Sequence, residues 1–108
     1  MRHSGSNIRP VMTLLEARVP PDRWASLEAS YASATEQLPS QMLETFLVQS
    51  ATDAELWRVV SVWRNRDAME EYRRSVATPG GVLIFRAAGV EPTLALFEVI
   101  ATVHAGAS

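Results

Sequence analysis

The chain contains no cysteine and no lysine. The first absence excludes disulfides, thiolate zinc sites and cysteine nucleophiles. Together the two confine any chemistry to aromatics, carboxylates, arginine and neutral polar groups. Only two histidines are present, His3 and His104, near opposite ends. No His-based metal site and no serine triad can be assembled from them. No apolar run approaches the roughly 20 residues of a membrane span. Residues 1–7, Met-Arg-His-Ser-Gly-Ser-Asn, lack the apolar core of a signal peptide, so a cytoplasmic location is expected. The net charge of −2 offers no electrostatic footprint for nucleic acid or an anionic membrane. All the basic residues are arginine, which suits carboxylate or phosphate recognition, although a GC-rich genome is the simpler cause.

What is present fits one globular domain. The chain has 108 residues, 47% hydrophobic and 20% charged. Residues 1–9 read as a flexible tail, 10–104 as the domain and 105–108 as a second tail. The organising stretch is Leu56 to Tyr72. Its first half alternates as a strand, with Trp57, Val59, Ser61 and Trp63 on one face and Leu56, Arg58, Val60, Val62 and Arg64 on the other. Its second half reads as a helix, with Asn65 as N-cap, Asp67 in the first turn, and Met69, Tyr72 and Val76 at spacings of three and four.

Around that stretch the pattern predicts strands over 11–19, 42–50, 56–64 and 93–103. It predicts helices over 22–38 and 67–76, and a short one over 79–88 with Thr78 as its cap and Gly89 as its stop. The order β-α-β-β-α-β implies an α+β, ferredoxin-like split βαβ subunit. The expected strand order is 4-1-3-2, with the first and third strands parallel at the centre. Helices then cover one sheet face only. The other face is expected to hold Met12, Leu14, Phe46, Val48, Val60, Val62, Leu94, Leu96 and Ile100, a larger apolar patch than a monomer usually exposes. A second copy packed sheet on sheet would cover it, giving a homodimer. Glu16, Arg58 and Glu98 are expected together on that face, as a charge cluster pairing inside the interface.

The run Val-Trp-Arg-Asn-Arg-Asp-Ala-Met-Glu-Glu-Tyr, with Trp63 closing the third strand ahead of a capped helix, resembles the antibiotic biosynthesis monooxygenase-like family. The resemblance covers about residues 10–104, and its motif is more diagnostic of fold than of reaction. It implies a dimeric α/β barrel. Members include cofactorless quinol or polyketide oxygenases, haem-degrading enzymes and isomerase-like proteins. The haem-degrading members resemble one another in an Asn within a Glu-Asn-Arg run and in a helical His ligand. Here the run is Glu16-Ala17-Arg18, and no His lies between His3 and His104, which argues against haem cleavage. The cofactorless branch implies a pocket between sheet and helices that holds a phenol or quinol without metal or flavin.

The resemblance suggests Tyr72 and Arg86 as catalytic residues and Trp63 as a substrate-binding residue; Trp57 and Ser61 join it as substrate-binding candidates because they share its strand face. Each has a plainer reading beside it. Trp57 and Trp63 also suit core packing, Tyr72 a rim position, and Arg86 a solvated surface. As ligand contacts, the tryptophans would form a flat wall, the Trp63 N–H or the Ser61 hydroxyl would orient an oxygen, and Tyr72 and Arg86 would stabilise a phenolate. Gly80-Gly81 ahead of a helix could accept an anion, a weak signal without a phosphate-loop lysine. The expected function is a cofactor-independent monooxygenase acting on a small apolar aromatic, quinol or polyketide-like molecule. The alternatives are a non-catalytic ligand-binding or regulatory barrel and a structural partner subunit.

Overall fold

A computed structural model describes residues 8–106. The expected tail over 1–9, with His3, falls largely outside the described residues, as do 107 and 108. Strand β1 (Val11–Arg18) leads through Pro20-Pro21 and a single 3-10 turn (Pro21–Arg23) into helix α1 (Trp24–Ala34). Strands β2 (Met42–Gln49) and β3 (Leu56–Trp63) form a hairpin. Helices α2 (Arg66–Ser75) and α3 (Gly80–Ala87) follow, and strand β4 (Thr93–Glu98) ends the fold. The sheet order is β2-β3-β1-β4, the ferredoxin-like arrangement. Among the described residues no helix is long and apolar enough to cross a membrane.

Every neighbouring pair is antiparallel, including β1 with β3, which corrects the parallel centre expected from the sequence. The helical crossover makes β1 and β2 parallel, but they are not neighbours. The tight hairpin then reverses β3, so β3 must run against β1.

Local chemistry explains most element ends. The Asn65 side chain accepts the Ala68 N–H at 2.8 Å, capping α2 as expected. Gly89 stops α3 with φ +80°, a left-handed conformation that favours glycine. Helix α1 ends at Ala34, before the expected Leu38. The Thr35 hydroxyl donates to the Tyr31 carbonyl at 2.7 Å and closes the last turn, and the exposed Glu36-Gln37 that follows offers no apolar face to bury. Helix α3 begins with extended Pro79 as its N-cap, and its first carbonyl bonds come from Val82 and Leu83 to Pro79. Thr78 is therefore not the cap. Strand β4 stops at Glu98, short of the expected Val103. Its only neighbour, β1, starts at Val11, and Val99 N–H to Pro10 carbonyl is the last rung.

The register decides which side chains meet. Opposed residues of an antiparallel pair point to the same side. Val11↔Trp63, Thr13↔Ser61, Leu15↔Val59 and Ala17↔Trp57 are therefore successive rows on the helix-covered face. One end row packs with Met69 of α2, in a cluster of Val11, Trp63 and Met69. The other end packs under α1 and α3, where Ala17, Trp57, Val59, Leu27, Ile84 and Phe85 form the larger cluster.

The same rule corrects β4. Met12 faces Phe97 and Leu14 faces Ala95, so Ala95 and Phe97 lie on the open face. Leu94 and Leu96 belong to the helix side, opposite Leu15 and Thr13, rather than to the open face. A one-residue difference in parity exchanges the two faces of a strand, and periodicity within β4 alone does not set it. Glu98 faces Val11, so it is separated from Glu16 and Arg58, which form an ion pair of 2.6 Å on the open face. Around that pair Phe46 and Phe97 are 46% and 55% exposed, large values for phenylalanine.

Helix α3 approaches the sheet through Gly81. A Cβ there would stand 2.5 Å from Leu15 Cδ1. Gly81→Ala is expected to force the Leu15 methyl aside and to cost about 1 kcal/mol. The check is a lower urea midpoint with an unchanged slope. Gly80→Ala, 3.3 Å from Tyr72 Oη, should cost less.

Candidate functional site

Between the two apolar ends of the covered sheet lies a polar row. Thr13 and Ser61 are the buried polar residues among the described side chains. They face each other across β1 and β3, and Thr45 of β2 faces Ser61. Neither α2 at one end nor α1 and α3 at the other closes over this row. The gap is a cleft of about 180 Å³. Thr13, Ser61 and Trp63 line it from the sheet; Met69, Tyr72 and Arg73 from α2; Gly81 and Val82 from α3. That volume resembles an apolar cavity of about 150 Å³ able to hold a benzene ring.

The aromatic wall is one unit. The Trp63 and Tyr72 ring centroids stand 5.1 Å apart with the planes tilted by 35°. The Trp63 Nε1–H donates to Thr13 Oγ1 at 3.0 Å, which fixes the indole against β1. Gly80 N–H donates to Tyr72 Oη at 2.9 Å. The N–H expected to serve an anion is thus committed to a tyrosine, and α3 positions Tyr72 with its first residue. Ser61 Oγ and Thr45 Oγ1 share a hydrogen bond of 3.2 Å.

These bonds set the polarity of the cleft. Thr13 and Tyr72 each accept a hydrogen bond on oxygen, so neither bond uses the hydroxyl proton. Both hydroxyls retain a proton to donate, each on an oxygen already polarised by an incoming N–H. The site is an apolar slot with two such donors, suited to a flat ring bearing an acceptor oxygen.

Ser61, Trp63 and Tyr72 meet in this cleft. Trp57 and Arg86 do not line it. Trp57 shares the alternation of Trp63 but faces Ala17, two rows beyond Ser61, under α1 and α3. There it packs against Trp24 at 5.8 Å, and its buried Nε1 has no partner among the described residues. Arg86 occupies the last turn of α3, whereas that helix reaches the cleft with its first turn. Its guanidinium forks onto Glu91 at 2.8 and 2.9 Å. That hydrogen bond, with the attraction behind it, holds the Glu91 carboxyl below its ordinary range and raises the Arg86 pKa. The cation at the cleft is Arg73, in the last turn of α2, a residue type that the negative end of a helix favours by itself. A helical spacing of four from Met69 is the signal that places it there. Sequence reasoning does not single out Thr13; its signal is a hydroxyl among the apolar residues of its own strand face.

No set of three or more His, Asp or Glu side chains among the described residues is placed to hold a metal. The fit to haem is poor. The cleft lining contains no histidine, and its volume suits one ring rather than a tetrapyrrole.

The family model described as Antibiotic biosynthesis monooxygenase matches residues 10–78. Solved structures share the fold. A haem-degrading protein of Mycobacterium tuberculosis aligns over 91% of this chain and 99% of its own, with TM-score 0.67 and 25% identity. A candidate antibiotic biosynthesis monooxygenase from Caulobacter crescentus aligns over 94% and 100%, with TM-score 0.68 and 15% identity. A conserved protein of Methanosarcina mazei aligns over 83% and 92%, with TM-score 0.67 and 11% identity. No curated protein matches significantly.

Thr13→Val is expected to leave the buried Trp63 N–H without its acceptor, at a cost of about 1–3 kcal/mol. The measurement is equilibrium unfolding, with near-ultraviolet dichroism reporting the indole. Unchanged stability would show that the bond contributes nothing.

Proposed function

The chain belongs to the antibiotic biosynthesis monooxygenase family, and from that premise we propose a cofactor-independent oxygenase acting on a small apolar aromatic, quinol or polyketide-like molecule. The observation that carries this reading is the cleft itself: the Trp63–Tyr72 wall with the Thr13 and Tyr72 hydroxyls left as donors. A phenol or enol slots between wall and sheet, and its oxygen accepts from those hydroxyls. As the substrate loses a proton to solvent, charge grows on that oxygen, and donors already in place stabilise it in a poorly hydrated site. Tyr72 keeps the role expected of it, and Thr13 takes the one expected of Arg86. The electron-rich carbon then reacts with O₂. One oxygen atom becomes a carbonyl on that carbon, and the other leaves as water, taking up the carbon's one hydrogen and a proton equivalent to the one the hydroxyl released. Substrate supplies all the electrons.

A homodimer belongs to the same proposal. The open face presents Met12, Leu14, Val60, Val62, Phe46 and Phe97 around the Glu16–Arg58 pair. Sheet-on-sheet packing of two copies removes that surface from water and leaves both clefts open on the helix side.

One observation favours a second reading, a ligand-binding barrel without turnover. The cleft lining includes no Asp, Glu or His that would serve as a base. Catalysis therefore demands a substrate acidic enough to ionise without one.

Oxygen uptake with a panel of single-ring phenols and quinols separates the two readings. Uptake that falls by about 10² in Tyr72→Phe supports the oxygenase. Ring binding without uptake assigns the binder. For the dimer, Phe97→Glu is expected to shift sedimentation from two copies to one while leaving the helical dichroism intact. A wild-type chain that sediments as a monomer at micromolar concentration removes the dimer.

A further inference from the structure

Arg73 lies in the cleft wall beside Tyr72, is exposed, and has no ion-pair partner among the described residues. It is the one charged residue of the lining. The guanidinium groups of Arg18, Arg58, Arg66 and Arg86 each face a carboxylate, and Arg9, Arg23, Arg64 and Arg74, which like Arg73 form no ion pair among the described residues, lie outside the lining. A cation left without a carboxylate at the mouth of an apolar slot is a ready partner for an anionic substituent.

We propose that the cleft selects a single-ring aromatic with two different ends. One end is a phenol or carbonyl oxygen that accepts from Tyr72 and Thr13; the other is a carboxylate that meets Arg73. The inference rests on the reading of the cleft as an aromatic-ring site, and it adds the size and charge of the ligand. Size follows from the volume of about 180 Å³, which admits one ring and excludes a fused polycycle from complete burial. Polarity at the inner end follows from the two hydroxyl donors. Charge at the outer end follows from Arg73 and from the absence of any carboxylate in the lining that would repel an anion. The guanidinium fork matches a carboxylate in two parallel hydrogen bonds, so a carboxylate is favoured over a point-like anion.

The test is calorimetric titration of the full chain with 4-hydroxybenzoate, its neutral analogue 4-hydroxybenzamide, and 6-hydroxy-2-naphthoate. The benzoate is expected to bind about fivefold or more tighter than the amide at low salt. The preference should shrink as salt screens an exposed pair. The naphthoate should bind more weakly than the benzoate. In Arg73→Gln the acid and the amide should bind alike. In Arg74→Gln, which removes the same charge outside the cleft lining, the preference should persist. Equal affinity of acid and amide in the wild type, or a preference that survives Arg73→Gln, overturns the role of Arg73 while leaving the aromatic cleft standing. Failure of all three rings to bind overturns the cleft reading and this inference with it.

Discussion

The pairing of β1 with β3 is the constraint on which the molecule depends. Val11 against Trp63 and Ala17 against Trp57 anchor the two ends of the covered face. Between them the same register sets Thr13 against Ser61. A slip of β1 by one residue would turn Thr13 to the open face and bring Glu16 under the helices. Burial at the two ends, where Val11 is fully buried and Trp57 and Trp63 nearly so, penalises any such slip. Apolar packing thus fixes where the polar row must lie, and the helices, packed on the apolar ends, leave a narrow cleft beside that row.

The cleft acquires directionality from its surroundings rather than from an ionised catalytic group. Trp63 donates to Thr13, and the first residue of α3 donates to Tyr72. Both are hydrogen bonds from rigid N–H groups to hydroxyl oxygens, and both turn the hydroxyl into a donor toward the slot. Gly80 and Gly81 allow this, since side chains there would crowd Tyr72 Oη and Leu15. The connection from α2 to α3 is therefore part of the site as well as of the fold. In a poorly hydrated slot, such fixed dipoles need little reorganisation when charge develops on a ligand oxygen.

The two sheet faces answer different demands. The covered face is a packed core interrupted by one polar row. The open face is apolar at its centre and carries the close ion pair of Glu16 with Arg58. Covering it would desolvate that pair, which costs free energy, and far more if the partners were separated, so the 2.6 Å contact within one chain limits the cost of burying the face. Both partners come from the central strands, where pairing holds them in register whether or not the face is covered.

Much of this was legible in the residue pattern because it is local. Alternation in Leu56–Trp63 marked Trp57, Val59, Ser61 and Trp63 as one face. Asn65 announced a helix start, and Gly89 a helix stop. The strand order followed from element order and short links. The remainder is a matter of relation between distant segments. The face of β4, the separation of Glu98 from Glu16 and Arg58, and the early end of that strand were decided by its pairing with β1, which no periodicity within β4 encodes. Trp57 and Trp63 are alike in the pattern, yet one is core and the other lines the cleft, because different helices lie above them. Arg86 and Arg73 are both helix-end arginines by sequence; which one lines the cleft depends on which end of each helix points at the gap. The sequence by itself determined the elements and their faces, since both follow from side-chain period and backbone chemistry. Only the tertiary structure decided which faces meet, since that depends on register and helix placement across dozens of intervening residues.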